Sequence, residues 1–389
     1  VGQDAAVAKL SEAAASARAI VASPGSGRAT DEARSMSHAW LITGPPGSGR
    51  SVAARAFAAA LQCTGATPGC GQCPGCRTTM GRTNADVLFA ATETSIINVD
   101  TARSLVLQAQ SSPSQGLWRV IVVEDADRLG ESGANALLKA IEEPPEHTVW
   151  LLCAPSPEDM IATIRSRCRH LGLRIPTATA VADLLVREGI ATPEVALEAA
   201  RAAQSHIGLA RALARDPQMR ERRRNIITAP ASVRSVGEAV MAADRLLETA
   251  KAQADAQVSE RNAREKAELM RQLGMDEGES ATKASRTMLR QLEEDQKRRS
   301  KRALTDAIDR ALIDLLAIYR DVLMVQVGGD GELINTDLSE LVHQIAHDST
   351  PHQTLARVDH IETARKRLVA NGNPLLVLED MAISLRPQA

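Results

Sequence analysis

Apolar positions follow two regimes along the chain. Up to about Ile175, short apolar runs alternate with stretches of helical period. Ala39 to Thr43 is such a run, ending in a Gly-Pro-Pro-Gly turn, and the Ala-rich segment from Val52 to Leu61 then predicts a helix. Asp86 to Phe89, Arg119 to Val123 and Thr148 to Cys153 are further strand candidates. Strands separated by helices imply right-handed crossovers and a parallel sheet covered on both faces. From Pro176 onward the pattern is helical throughout, with a break near Asp216-Pro217. Residues 24–36 are rich in Ser, Gly and charge and suit a surface loop. Residues 251–303 are dominated by Ala, Glu, Lys, Arg and Gln; their interruption at 274–280 reads as the join between two charged, solvated helices.

Composition narrows the function classes. With 46 basic and 48 acidic side chains the formal charge is −2, so no bulk pull toward nucleic acid exists. Two Phe, three Trp and one Tyr leave too few aromatics for a base-stacking single-strand binder. No apolar run of about 18 residues is present, so no membrane partner is expected, and no basic, apolar leader is visible. A cytoplasmic protein is expected, with six Cys in a reducing compartment.

Gly44-Pro45-Pro46-Gly47-Ser48-Gly49-Arg50-Ser51 has the layout of a phosphate loop between a strand and a helix. Its glycines let N–H groups converge on phosphate oxygens, and Ser51 stands where a hydroxyl meets Mg²⁺. Arg50 replaces the usual Lys, and a planar guanidinium is not equivalent to a compact ammonium there. The strand at 119–123 ends in Glu124-Asp125, the reverse of the Asp-Glu order that holds Mg²⁺ and orients water in ATPases. The two departures together imply weak ATP hydrolysis or none, while leaving ATP/Mg²⁺ binding open. Cys63, Cys70, Cys73 and Cys76 supply four thiolates within one short loop, a closed structural Zn²⁺ set. A redox reading of Cys73-Pro74-Gly75-Cys76 is less favoured, because such a pair opens a helix and these four sit in a loop. Cys153 and Cys168 are expected to be ordinary buried or partly buried thiols. Arg165, Arg167 and Arg169 alternate near the end of the α/β region and by composition alone would form a solvated basic strip.

The segment Asn135 to His147, reading NALLKAIEEPPEH, closely resembles the corresponding stretch of bacterial DNA polymerase III clamp-loader subunits of the AAA+ class. Ser166-Arg167-Cys168 follows at the spacing of that family, and with Val1-Gly2-Gln3, the phosphate loop and the four Cys the resemblance covers residues 1–215. It implies an α/β plus all-α fold. A P-loop parallel sheet domain spans 1–175, a small helical lid 176–216, and a helical collar 217–389 with the charged insertion at 251–303. It further implies that Arg167 acts in trans on the ATP of a neighbouring subunit, that Val1, Gly2 and Gln3 lie near the base, and that Arg211 of Gly208-Leu209-Ala210-Arg211 faces bound phosphate. Ser156 is the nearest polar match to a first sensor. The implied partners are gamma/tau motor subunits, the delta subunit, the sliding clamp and primer–template DNA. A motor-type member would carry Lys in the loop and the Asp-Glu order; this chain keeps the arginine triplet and the cysteines without them.

Overall fold

Buried strands and the helices that cover them account for the first part of a computed structural model, which describes residues 2–22, 35–90, 97–233, 235–273 and 283–386. The chain divides into two compact units, Val1–Glu188 with Ser205–Leu209, and Gly189–Gln204 with Ala210–Ala389. Val1, most of the loop expected at 24–36, and the break at 274–280 lie outside the described residues.

In the first unit five parallel strands run β1 (Ala39–Thr43), β2 (Val87–Ala90), β3 (Arg119–Val123), β4 (Thr148–Ala154) and β5 (Arg169–Gly172). Their order across the sheet is β2-β3-β4-β1-β5, with Trp40 opposite Leu151 and Ile121 opposite Trp150. Successive side chains of a strand face opposite sides, and both faces here are apolar. Trp40, Ile42, Val120, Val122 and Leu151 pack with α1 (Asp4–Ala22) and α2 (Arg50–Leu61). Leu41, Ile121, Val123, Trp150 and Leu152 pack on the other side, covered by α4 (Val99–Ala109), α5 (Glu131–Glu142) and α6 (Ala162–Arg165), while α3 (Pro74–Met80) follows the cysteine loop. That two-sided burial is why these strands are continuous apolar runs. β5 was not expected: it is an edge strand with Arg169 and His170 in it, and only Leu171 is buried.

Asp86 also departs from expectation, because it precedes β2 instead of lying in it. Its fully buried carboxylate accepts from the N–H groups of Ser114 (2.7 Å), Gln115 (2.8 Å) and Gly116 (2.6 Å), and from Ser114 Oγ (2.9 Å). α7 (Ala178–Arg187) closes the first stretch of this unit, which also takes in Ser205–Leu209.

The second unit is helical: α8 (Pro193–Ala202), α9 (Ile207–Arg215), which starts in the first unit, α10 (Pro217–Ser232), α11 (Val236–Gln272), α12 (Lys283–Gln326), α13 (Ser339–Asp348), α14 (Pro351–Val369) and α15 (Pro374–Ser384). Its core joins Ile227, Leu247, Ile308, Leu312, Leu315, Val342, Ile361 and Leu378. A buried polar chain crosses it. Arg223 donates to Asp314 (3.0 Å) and Asn335 (2.6 Å), and Asn335 in turn donates its backbone and side-chain N–H groups to Asp321. The charged segment is an extension of α11 and α12, which are 37 and 44 residues long, about 55 and 65 Å. They run antiparallel, with Ala254, Val258 and Ala303 as the last small apolar cluster, then Arg299 on Glu265 (2.8 Å) and Gln296 on the Asn262 carbonyl (2.9 Å).

Candidate functional site

The phosphate loop leaves β1 and enters α2 through glycines that no other residue could replace without strain. Gly49, the N-cap of α2, has φ 93 and ψ 23. Gly47 has φ 86, and a Cβ there would meet His206 at 2.6–2.7 Å. Gly44 donates its N–H to the Pro155 carbonyl at 3.1 Å, which pins the loop to the end of β4. Inside the loop, Ser48 is buried and its Oγ has no partner among the described residues, and Arg50 Nη1 is likewise buried without one there. Buried polar atoms are nearly always satisfied, so these two fit a loop that takes a polar ligand. Phosphate oxygens, which are acceptors, suit both. Pro45, Pro46 and Ser51 complete the turn, and Ser51 lies in the first turn of α2.

Gln3 closes the same region from the N-terminal side. Its Nε2 donates to the Arg174 carbonyl (2.7 Å) while Oε1 accepts from the Arg174 N–H (3.2 Å), and Nε2 lies 3.5 Å from the Ser48 carbonyl. Gly2, with φ 64, precedes it beside Pro176. Arg211 lies on α9, half-buried, in the part of that helix that belongs to the second unit. Ser156 does not offer a free sensor group. It caps a short 3-10 turn, accepting from the Glu158 N–H (3.2 Å) while Asp159 accepts from the Ser156 N–H (2.9 Å).

At the end of β3, Glu124 is 12% exposed in its side chain and bonded to Arg82 at 2.5 Å. Arg82 comes from the turn after α3, adopts φ 59, and lays its guanidinium 5.0 Å from the centroid of the Phe89 ring. No sequence pattern pointed to Arg82; its neighbourhood with Glu124 is made by the fold. Cys153 sits in β4 between the two motifs, where burial pushes its thiol up to about 12, and it feels the charges of Arg50, Glu124 and Asp125. Burial likewise raises Asp127, with Asp125 adding repulsion and Arg50 opposing the rise.

The four cysteines converge, with their Sγ atoms all within 4.8 Å of one another and Cys63 and Cys73 sulfurs 3.9 Å apart. A tetrahedral ion with Zn–S of about 2.3 Å requires sulfurs about 3.8 Å apart. Cys70 N–H points at Cys63 Sγ (3.5 Å), Cys73 N–H at Cys70 Sγ (3.4 Å) and Cys76 N–H at Cys73 Sγ (3.4 Å). The Cys76 N–H holds the Cys73 thiol down at about 5, whereas burial pushes Cys76 up to about 12. The donor set therefore fits a metal ion such as zinc, whose positive charge offsets the cost of the last buried thiolate. The sequence reading placed all four cysteines in a loop, and the fold departs from it. Cys73 is the N-cap of α3, so the Cys-x-x-Cys pair does open a helix; what favours metal is the convergence of all four sulfurs.

Arg165, Arg167 and Arg169 do not form one strip. Arg165 reaches the Pro157 carbonyl (3.4 Å), and Arg169 stacks 5.1 Å from the Trp40 ring. Arg167, 37% exposed, is bonded through Nε to Glu142 at the end of α5, and through Nη1 to the Thr163 carbonyl (2.9 Å) and Ser166 Oγ (3.2 Å). Cys168 is half-buried and Cys153 fully buried. Among the described residues no helix is long and apolar enough to cross a membrane.

Residues 29–177 match the family described as DNA polymerase III, delta subunit. The chain is 36% identical over 162 residues to DNA polymerase III subunit gamma/tau of Mycobacterium tuberculosis, covering 40% of this chain and 28% of that one. It is 35% identical over 165 residues to subunit delta' of Pseudomonas aeruginosa, covering 41% and 50%, and 34% identical over 180 residues to subunit delta' of Escherichia coli, covering 45% and 54%. The chain thus spans between about a quarter and a half of the length of these relatives, which carry both the gamma/tau and the delta' names.

Proposed function

We propose that this chain is a delta-prime-type subunit of a bacterial DNA polymerase III clamp loader, and that Arg167 completes the ATP site of a neighbouring gamma/tau motor subunit. In this reading residues 1–175 form the AAA+ domain, 176–216 the lid and 217–389 the collar that holds the ring together with the delta subunit. The subunit helps open the sliding clamp and place it on primer–template DNA, in the cytoplasm, with Zn²⁺ as a structural staple. Its own loop, with Gly2 and Gln3 beside it, holds nucleotide without turning it over.

The observation that carries this reading is a contrast within one domain. The carboxylate at the cis metal-holding position, Glu124, is 12% exposed and already paired with Arg82, while Arg167 pairs with a Glu142 that is 42% exposed and otherwise bonds only its own segment, at the Thr163 carbonyl and Ser166 Oγ. An exposed ion pair of that kind is worth about 0–1 kcal/mol, so swinging Arg167 outward costs little. A guanidinium reaching a neighbour's γ-phosphate can be worth ~10³–10⁵ in rate. In the reconstituted complex Arg167→Ala is expected to leave assembly intact and cut DNA-stimulated ATPase at least about tenfold; unchanged turnover removes the proposal.

The gamma/tau name among the relatives favours testing a motor-type reading beside it. Isolated chain is expected to show no ATP turnover with or without DNA. Substantial turnover abolished by Arg50→Ala would make the chain a motor instead.

A further inference from the structure

We propose that the phosphate loop of this chain takes a nucleoside polyphosphate without a divalent cation, the ligand's charge being met by two guanidinium groups, Arg50 in the loop and Arg82 from the turn after the cysteine helix. The inference rests on nucleotide occupying this chain's own loop and is independent of what Arg167 does for a neighbour.

The loop is built for phosphate. Gly47 and Gly49 hold left-handed conformations, and His206 lies so close over Gly47 that a Cβ would strike it at 2.6–2.7 Å. Within that path Ser48 Oγ, on a residue 4% exposed, and Arg50 Nη1 are both buried donors with no partner among the described residues. A buried guanidinium N–H left unsatisfied is costly, and an anion is the partner that would offset it.

The place where a divalent cation would be held is taken. In a P-loop enzyme a carboxylate at the end of the strand corresponding to β3 helps to hold Mg²⁺. Here Glu124 binds Arg82 at 2.5 Å, and the Arg82 guanidinium also lies 5.0 Å from the centroid of the Phe89 ring. A metal ion drawn to Glu124 would have to displace that guanidinium or sit against it, two cations sharing one carboxylate. The buried Cys153 thiol of β4, between the two motifs, feels Arg50 as well as Glu124 and Asp125. Arginine suits the task because its planar fork binds phosphate oxygens bidentately and stays charged.

The test measures equilibrium binding of ADP and of a non-hydrolysable ATP analogue to the full chain. Buffers with magnesium and buffers freed of it on a chelating resin are compared, with no soluble chelator that would strip the cysteine site. Affinity is expected to change by less than about threefold between the two. Arg82→Asn keeps a residue that tolerates the left-handed backbone at this position; it should weaken magnesium-free binding about tenfold, and Arg82→Lys, which retains the charge, should restore most of it. Metal content of each variant, unchanged if the cysteine loop stays folded, separates loss of the guanidinium from loss of fold. Absence of nucleotide binding, a tenfold or greater weakening of the unmodified chain without magnesium, or an unaffected Arg82→Asn each overturns the proposal.

Discussion

Replacing Asp86 by Asn removes a charge that five donors, the Arg119 guanidinium among them, hold in place without changing the side chain's size. Burial alone would raise this carboxyl, but the N–H groups of Ser114, Gln115 and Gly116 outweigh it and leave the group below the ordinary Asp value. A depressed carboxylate stabilises the fold above its unfolded pKa of about 3.9 and loses that contribution as pH falls through the lower folded value. Asp86→Asn is therefore expected to destabilise the first unit by about 1.5–3 kcal/mol near neutrality, the gap closing below about pH 4. Trp40, Trp118 and Trp150 all belong to that unit, so urea unfolding followed by tryptophan fluorescence reads it directly. Glu142→Gln poses a milder question, since it releases Arg167 from its ion pair. In the reconstituted complex it should change ATPase by no more than about fivefold, the most an exposed pair is worth. A loss as large as that of Arg167→Ala would mean that Glu142 aims the arginine and does not merely park it.

At the scale of elements, what was legible in the sequence followed burial on both faces. β1, β3 and β4 are unbroken apolar runs because α1 and α2 cover one side of the sheet and α4 and α5 the other. β5 was invisible because an edge strand needs only one inward side chain, and Leu171 supplies it among Arg169, His170 and Gly172. The tight turn at 44–51 and the convergence of the four cysteines were readable because the spacing of Gly and Cys constrains the backbone there. Arg82 was not, because its meeting with Glu124, 42 positions away, exists only once β2 and β3 pair. The charged stretch at 251–303 looked like an insertion, yet its small apolar positions continue the α11–α12 packing as far as Ala254, Val258 and Ala303. Beyond them polar pairs take over, and the main core of the second unit lies elsewhere. Excising residues 259–300 and closing the helices with a short glycine turn should therefore shift Tm by less than about 4 °C. A larger drop in calorimetry would show that the distal hairpin stabilises the unit.

For the whole molecule the question is whether charge alone brings it to DNA. The balance of 46 basic against 48 acidic residues says no, but α11 and α12 concentrate Lys and Arg, above all in the run Lys297-Arg298-Arg299-Ser300-Lys301-Arg302. Much of that charge is spent inside the hairpin. Arg299 meets Glu265, Arg298 meets Asp295, Arg302 meets Asp306, and Lys266 meets Glu293 across the helix pair. Each phosphate neutralised by a basic side chain adds about 0.9 to the slope of log affinity against log salt. A tether using that basic run would have a slope near five; a hairpin already paired with its own carboxylates should approach one or two. The isolated chain is accordingly expected to bind primer–template DNA weakly, with a shallow salt dependence that Lys297→Ala and Arg298→Ala together barely alter. A steep slope lost in that double variant would make the hairpin a DNA-binding arm of this chain.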